Sequence, residues 1–147
     1  MNDPKYDVLK LDNQICFPLY ACSREIIKRY KPFLDEVDLT YTQYIAMMVL
    51  WEKSSLTVKE MGERLFLDSG TLTPMLKKME AKGLLTRTRS TEDERNLIIA
   101  ITDKGESLKE QAVTIPAKMA KCANLELEDA EALYPILRKI LGKSGSK

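Results

Sequence analysis

The sequence predicts a mainly α-helical protein that carries one small β-hairpin, an α+β fold. Apolar residues recur at helical spacing over most of the 147 residues. Two runs rich in β-branched residues, 84–88 and 96–101, flank the polar connection Arg89–Arg95, which is typical of a hairpin. A hydrophobic content of 44% lets a chain of this length bury a core of its own.

A first helix is expected from about Gln14 to Lys31. Pro18 is best tolerated in a first turn, so Cys16 should lie at or near the helix N-terminus. Free amide groups and the helix dipole at that end favour a thiolate. Pro32 should end or bend the helix.

Two further helices should follow. Thr40 starts a capping sequence for a second, largely buried helix that continues to Trp51, and Ser54-Ser55 should interrupt it. Thr57 should cap a short third helix over Val58–Leu65. The apolar positions expected to face inward on these two helices are Tyr44, Met47, Met48, Trp51, Val58, Met61 and Leu65.

A fourth helix should open at Asp68-Ser69-Gly70-Thr71 and end at Gly83, with a small and basic outer face. The side chains expected to face inward are Leu72, Leu76 and Met79. Between Lys77 and Arg89 five cations stand against the single acid Glu80, a local balance of +4 on a chain of net charge +1. Two helices joined by a tight turn and followed by a hairpin predict a winged helix-turn-helix over about 56–102.

Thr102-Asp103 should cap a long helix from Lys104 to about Ala123, bent near Pro116. A last helix is expected over Glu126–Leu141. Its apolar face should consist of Ala130, Leu133, Ile136, Leu137 and Ile140.

The whole chain, 1–147, is expected to form a single winged-helix domain with a flexible tail at 142–147. The terminal helices carry more apolar face than a small core can cover. We therefore expect the segments of about 12–32 and 104–141 to form the interface of a homodimer. Such a dimer would place two recognition helices about one turn of duplex apart.

Composition excludes several classes of function. The chain has no histidine, which removes the usual general base and the usual zinc ligand, so we expect no enzyme, no metal and no cofactor. Its three cysteines are an odd number and do not suggest a disulfide framework. With no long apolar stretch and no signal peptide, we expect a cytoplasmic protein without a membrane partner.

Three stretches resemble a known family, the MarR family of transcription regulators, and within it the organic hydroperoxide sensing repressors (OhrR-like). They are LDNQICFPLYACSREI (11–26), DSGTLTPMLKKMEAKGL (68–84), and STEDER (90–95) with the strand after it. The resemblance implies a dimer that represses by occupying a pseudo-palindromic operator in double-stranded DNA. It also implies that Ser69, Thr71, Pro74 and Lys78 contact the major groove, that Arg87 contacts the backbone or wing region, and that Arg95, oriented by Asp93, enters the minor groove.

The same resemblance places the peroxide-reactive cysteine at Cys16, hydrogen-bonded by Tyr30 and Tyr41. Cys16 and Tyr30 are fourteen residues apart, or about 21 Å on one straight helix, so a contact between them requires the other subunit. An organic hydroperoxide would convert the thiolate to a sulfenic acid, and release of DNA would need a second step. That step could use a low-molecular-weight thiol, over-oxidation, or Cys122 as a resolving cysteine.

Several alternatives stay open. Cys122 could instead be a buried helical cysteine, and we expect Cys22 to serve in packing. The protein could be a MarR-type regulator that a small aromatic ligand releases, with Cys16 incidental. A thiol peroxidase is disfavoured because the sequence lacks CxxC, histidine and an arginine near Cys16.

Overall fold

The computed structural model describes residues 3–93 and 95–142. Within them, two 3₁₀ helices, Pro4–Leu9 and Leu11–Asn13, precede the first α-helix. The remaining elements are α1 (Cys16–Asp35), α2 (Tyr41–Lys53), β1 (Ser55–Thr57), α3 (Val58–Leu65), α4 (Ser69–Ala81), β2 (Leu85–Arg89), β3 (Leu97–Ile101), α5 (Asp103–Ser107), α6 (Lys109–Ala112), α7 (Ile115–Cys122) and α8 (Leu127–Leu141). The predicted fold class, mainly helical with a small hairpin, is confirmed.

The chain is organised in two compact units. The first ends at Ile115 and the second begins at Pro116. This division falls at the proline where the sequence predicted a bend in one long helix. The interval from Lys104 to Ala123 contains three short helices, so the prediction of one long helix was wrong. Pro116 has no backbone N–H to donate to the carbonyl of Ala112, and α6 ends at Ala112.

Helix α1 begins at Cys16, with Pro18 in its first turn, as predicted. Pro32 does not end the helix, because α1 continues to Asp35. The last turn is held by burial of Leu34, which is 2% exposed, and the carbonyl of Leu34 accepts a 3.1 Å hydrogen bond from Leu39 N–H. Tertiary packing therefore outweighs the hydrogen bond that the proline cannot make.

Helix α2 supplies more buried side chains to the core than any other single element. Thr40 forms a capping box with Gln43, and the two reciprocal bonds measure 3.2 and 3.1 Å. The helix buries Gln43, Tyr44, Ala46, Met47, Val49 and Leu50. Met48 is 42% exposed, so its predicted inward position was wrong. Ser54 ends α2 at φ 64°. Strand β1, which follows, was not predicted because three residues are too few to show a period.

The helix-turn-helix consists of α3 and α4. Thr57 caps α3 in a capping box with Glu60, and Asp68 caps α4. Between the two helices the chain reverses at Phe66, whose backbone is left-handed. The inward face of α4 is buried as predicted, with one residue more, and consists of Leu72, Met75, Leu76 and Met79.

The hairpin belongs to a three-stranded antiparallel sheet in the order β1-β3-β2. Its strands pair from Leu85↔Ile101 to Arg89↔Leu97, which places the polar connection at the tip of the wing. Gly83 links α4 to the hairpin with φ 79°, a conformation that glycine adopts without strain. The wing is therefore anchored on one side by β1 and at its base by the turn after α4.

Gly105 allows α5 to approach the base of the wing closely. A Cβ atom at this position would lie 2.3 Å from the carbonyl oxygen of Leu84, which accepts a hydrogen bond from Thr102 N–H. The Gly105 carbonyl also accepts a 2.9 Å bond from the indole of Trp51. We expect Gly105→Ala to lower the free energy of unfolding by about 1–3 kcal/mol, measured by urea unfolding. Glu110→Ala, an exposed change on α6, should leave it within about 0.5 kcal/mol of wild type, and equal losses would contradict this account.

Helix α8 starts after a capping box between Glu126 and Asp129. Much of its predicted apolar face is exposed: Leu133, Ile136 and Ile140. Residues 143–147 of the predicted tail lie outside the described part of the chain. In that described part, no helix combines the length and apolar character that crossing a membrane requires.

Candidate nucleic-acid interface and redox residues

The first turn of α4 presents small polar groups to the surface. The Asp68 carboxylate accepts a 2.7 Å hydrogen bond from Thr71 N–H, and this bond holds the pKa of Asp68 below its ordinary value. The four residues predicted to enter the major groove are all exposed: Ser69, Thr71, Pro74 and Lys78. Three of them are spaced three and four residues apart, so they form one stripe opposite the buried face of α4.

The wing tip holds an oriented arginine. The Arg95 backbone N–H and Nε donate to Asp93 Oδ1 at 3.0 and 3.1 Å, and Nη2 donates to Oδ2 at 3.3 Å. The Arg95 side chain is 91% exposed, so the guanidinium is held in one direction without being buried. The arginine also keeps the pKa of Asp93 below its ordinary value.

Arg87 lies at the junction of the wing and α4. Its side chain is 19% exposed and contacts Glu80, with both Nε and Nη2 at 3.2 Å from Oε1. Lys82, another cation of the +4 patch, donates to the backbone carbonyl of Asp38 at 2.5 Å. Lys77 and Lys78 are exposed and have no ion pair within residues 3–93 and 95–142. The patch thus combines structural cations with two lysines that remain available to a ligand.

The residues predicted for redox sensing lie in two places. Cys16 is exposed at the first residue of α1, whereas Tyr30 is on the same unbroken helix fourteen residues further on. Tyr30 packs against Tyr41 with ring centroids 4.9 Å apart, and Tyr44 lies 5.8 Å from Tyr30. The structure therefore brings the two tyrosines together and leaves the thiol of the same chain about 21 Å along the helix.

Tyr44 is 2% exposed, and Tyr30 and Tyr41 beside it are half-buried. Desolvation raises the pKa of Tyr30, Tyr41 and Tyr44, and the neighbouring phenols add to the effect at Tyr30 and Tyr44. At neutral pH each phenol is therefore a neutral hydrogen-bond donor. Tyr44 was predicted to lie in the core but not to belong to this tyrosine cluster. Its spacing of three residues from Tyr41 on α2 indicates that the two rings share a face of the helix.

These shifts predict a loss of stability in alkali. A phenol whose pKa is raised on folding stabilises the folded state fully below its unfolded value of about 10, and that contribution disappears as pH rises through the folded value. We expect the free energy of unfolding to fall above about pH 10. Tyr44→Phe should reduce the fall, measured by urea unfolding at pH 8 and above pH 10, while the exposed Tyr134→Phe should not. Equal pH profiles for Tyr44→Phe and wild type would contradict this prediction.

The other two cysteines are also at the surface. Cys22 on α1 and Cys122 at the end of α7 are both exposed. Within one chain, Cys22 is therefore not covered by packing, and the alternative that Cys122 is a buried helical cysteine is wrong. Among the described residues no group of three or more histidine, cysteine or acidic side chains is placed to hold a metal ion.

Comparison with known proteins identifies relatives over nearly the whole chain. Residues 28–112 match the family profile described as transcriptional regulator SarA/Rot. The chain is 53% identical to the organic hydroperoxide resistance transcriptional regulator of Bacillus subtilis, covering 95% of this chain and 98% of the relative. It is 46% identical to the regulator SarZ of Staphylococcus saprophyticus, covering 90% and 91%.

Solved structures agree with this fold. Reduced AbfR bound to DNA superposes with a TM-score of 0.78 at 34% identity, covering 94% of this chain and 96% of that one. AbfR, from Staphylococcus epidermidis, is also known overoxidised on DNA and in a disulfide form. A MarR variant from E. coli with operator DNA matches at TM-score 0.79 and 20% identity, and shows the fold alone.

These relatives are transcriptional regulators and not enzymes, in agreement with the prediction from composition. The sequence resemblance seen at 11–26, 68–84 and 90–95 is thereby confirmed. The chain belongs to the MarR family of winged-helix transcription regulators, and within that family to the organic hydroperoxide regulators.

Proposed function

We propose that this protein is a cytoplasmic, redox-switched repressor that releases its operator when an organic hydroperoxide oxidises Cys16. The observation that carries the proposal is an exposed cysteine at the first residue of α1, in a chain 53% identical to a regulator named for organic hydroperoxide resistance. Supporting it, a relative of 34% identity has been solved on DNA, reduced as well as overoxidised.

In this proposal α4 enters the major groove of double-stranded DNA. Its exposed stripe of Thr71, Pro74 and Lys78, with Ser69 at the helix start, approaches base edges and phosphates. Arg95 at the wing tip enters the adjacent minor groove, because a narrow groove concentrates negative potential. Arg87, where the wing meets α4, is the last of the proposed contact residues and lies against the DNA backbone or the wing.

The working unit in this proposal is a homodimer. Large apolar side chains are exposed on α1, where Phe17, Tyr20 and Ile27 are 43%, 58% and 44% exposed. Helix α8 exposes an apolar face of its own. Faces of this kind are typical of surfaces that a second subunit covers. A two-fold dimer also presents two recognition helices to the two halves of a pseudo-palindromic operator.

The dimer completes the redox site. Because α1 is continuous, Tyr30 and Tyr41 cannot reach the Cys16 thiol of their own chain. We propose that they meet Cys16 of the other subunit and donate hydrogen bonds to its sulfur. The thiol then lies at the dimer interface, where its oxidation changes how the two DNA-binding modules are held.

The chemistry begins with attack of the Cys16 thiolate on a peroxide oxygen of the hydroperoxide. A sulfur–oxygen bond forms, the oxygen–oxygen bond breaks, and the alkoxide takes a proton and leaves as an alcohol. The sulfur loses two electrons to the peroxide and becomes a sulfenic acid. A second thiol then condenses with it and water leaves. That thiol is either a low-molecular-weight thiol or the exposed Cys122 of the partner subunit.

The test uses a duplex that the purified wild-type protein selects from random DNA, hereafter the selected duplex. Reduced protein should bind it, with affinity that falls steeply as salt rises because phosphate contacts release counterions. Adding tert-butyl hydroperoxide with a small thiol should release the DNA. Mass spectrometry without reductant then distinguishes sulfenic acid, mixed disulfide and crosslinked dimer. Binding that is insensitive to the hydroperoxide would overturn the redox switch and favour release by an aromatic ligand.

A further inference from the structure

Glu80 is the only acid among the five cations of the +4 patch, and it lies in the last turn of α4. An uncompensated carboxylate next to bound DNA would oppose binding. The structure shows the carboxylate in contact with the wing instead. Oε2 accepts a 3.0 Å hydrogen bond from the backbone N–H of Arg87, and Oε1 lies 3.2 Å from both Nε and Nη2 of its guanidinium.

The backbone contact uses a free edge of the sheet. Strand β2 is an edge strand, because the order is β1-β3-β2. In an antiparallel pair, alternate N–H groups point away from the neighbouring strand. The Arg87 N–H is one of these, and Glu80 satisfies it. One carboxylate of α4 therefore binds both the backbone and the side chain of a single wing residue, in a half-buried setting where charge-assisted bonds are strong.

We propose that Glu80 is a positioning residue, which sets the angle of the wing relative to the recognition helix and so allows both to engage DNA together. This inference rests on the proposed function. Strand β2 ends at Arg89, two residues or about 7 Å beyond Arg87, and the tip with Arg95 extends further. A tilt of the strand at Arg87 is thus magnified at the tip, while the minor groove that receives Arg95 is only about 6 Å wide.

Two roles for Glu80 predict opposite results. If Glu80 acted only through its charge, Glu80→Ala would strengthen binding to any DNA, because an acid near the phosphates is removed. If it positions the wing, Glu80→Ala weakens binding to the selected duplex and leaves binding to a scrambled duplex unchanged or tighter. Glu80→Gln keeps an oxygen acceptor for the Arg87 N–H and should lie between wild type and Glu80→Ala.

The experiment is a double-variant cycle with Arg95→Ala, read by fluorescence anisotropy on the selected and scrambled duplexes. We expect Glu80→Ala to weaken binding to the selected duplex about tenfold in the wild-type background. In the Arg95→Ala background the loss should be about twofold or less, since coupled residues are not additive. The matched control is Glu63→Ala, an exposed acid on α3 that has no ion pair within the described ranges.

The outcomes separate the two proposals. A Glu80→Ala affinity equal to or tighter than wild type on the selected duplex overturns the positioning role, and so does an equal loss in both backgrounds. Thermal unfolding checks that the variant is folded, and if it is not, Glu80→Gln enters the same cycle in its place. A wild-type protein that enriches no sequence overturns the proposed function itself, and the Glu80 role with it, before any variant is compared.

Discussion

Cys16→Ser is expected to bind the selected duplex like the wild type and to remain bound after tert-butyl hydroperoxide is added. The serine hydroxyl is not oxidised by the peroxide, so the step that begins release is lost. Binding should be retained because Cys16 is exposed at the first residue of α1, and exposed substitutions usually change stability by no more than about 0.5 kcal/mol. The measurement is anisotropy of labelled duplex before and after oxidant.

The chain offers two matched controls for this prediction. Cys22→Ser replaces another exposed cysteine on the same helix and should respond like the wild type. Cys122→Ser should still release DNA if a small thiol performs the second step, and non-reducing mass spectrometry should then show a mixed disulfide and no crosslinked dimer. Release by Cys16→Ser at wild-type peroxide concentrations would show that the sensor lies elsewhere.

Arg95→Ala is expected to weaken binding to the selected duplex by about 1–3 kcal/mol, which corresponds to about five- to 150-fold in affinity. The side chain is 91% exposed, so its removal leaves no cavity and the folded state should be as stable as wild type. In the proposed complex, the loss should come from the missing minor-groove contact and from the release of one counterion fewer. The slope of log affinity against log salt should therefore fall by about one.

Arg95→Lys keeps the charge but not the two-pronged contact with Asp93, so it should recover the salt slope and only part of the affinity. Asp93→Asn removes an acid near DNA and should nonetheless weaken binding, because the guanidinium is no longer held in one direction. Lys10→Ala, a charge-matched change at an exposed residue between the two 3₁₀ helices, should have little effect. An Arg95→Ala loss no larger than that of Lys10→Ala would contradict a role for the wing tip.

The helix-turn-helix was readable from the sequence because its signals are local. Asp68 as an N-cap, Gly83 after the last turn and the spacing of Leu72, Leu76 and Met79 each act within one element. The observed α4 and hairpin therefore agree with the expected ones to within a few residues. The short strand β1 was missed because three residues carry no period, and its strand character comes from pairing with β3.

The contacts of the candidate site also differ in whether the sequence could predict them. The resemblance of STEDER to the family implied that Asp93 orients Arg95, and the structure has the contact between these two residues, which are two apart in the chain. Glu80 and Arg87 are seven residues apart on a helix and a strand, so no periodicity pairs them. Counting charges assigned both to one basic patch, whereas packing brings them together as an internal ion pair.

The sequence by itself determined the fold class, because that depends on local propensity and spacing. The family followed from the resemblance of the stretches 11–26, 68–84 and 90–95 to known regulators, and the redox role of Cys16 stays a prediction. Only the tertiary structure decided that Pro32 lies inside α1, that Tyr30 and Tyr41 form one aromatic pair, and that Glu80 joins the recognition helix to the wing. Each of these depends on how neighbouring elements pack against one another, which no single element's sequence pattern shows. At these positions tertiary contacts outweigh the local preference of the sequence. Burial of Leu34 holds the last turn of α1 beyond Pro32, and charge-assisted bonds hold Glu80 against the wing.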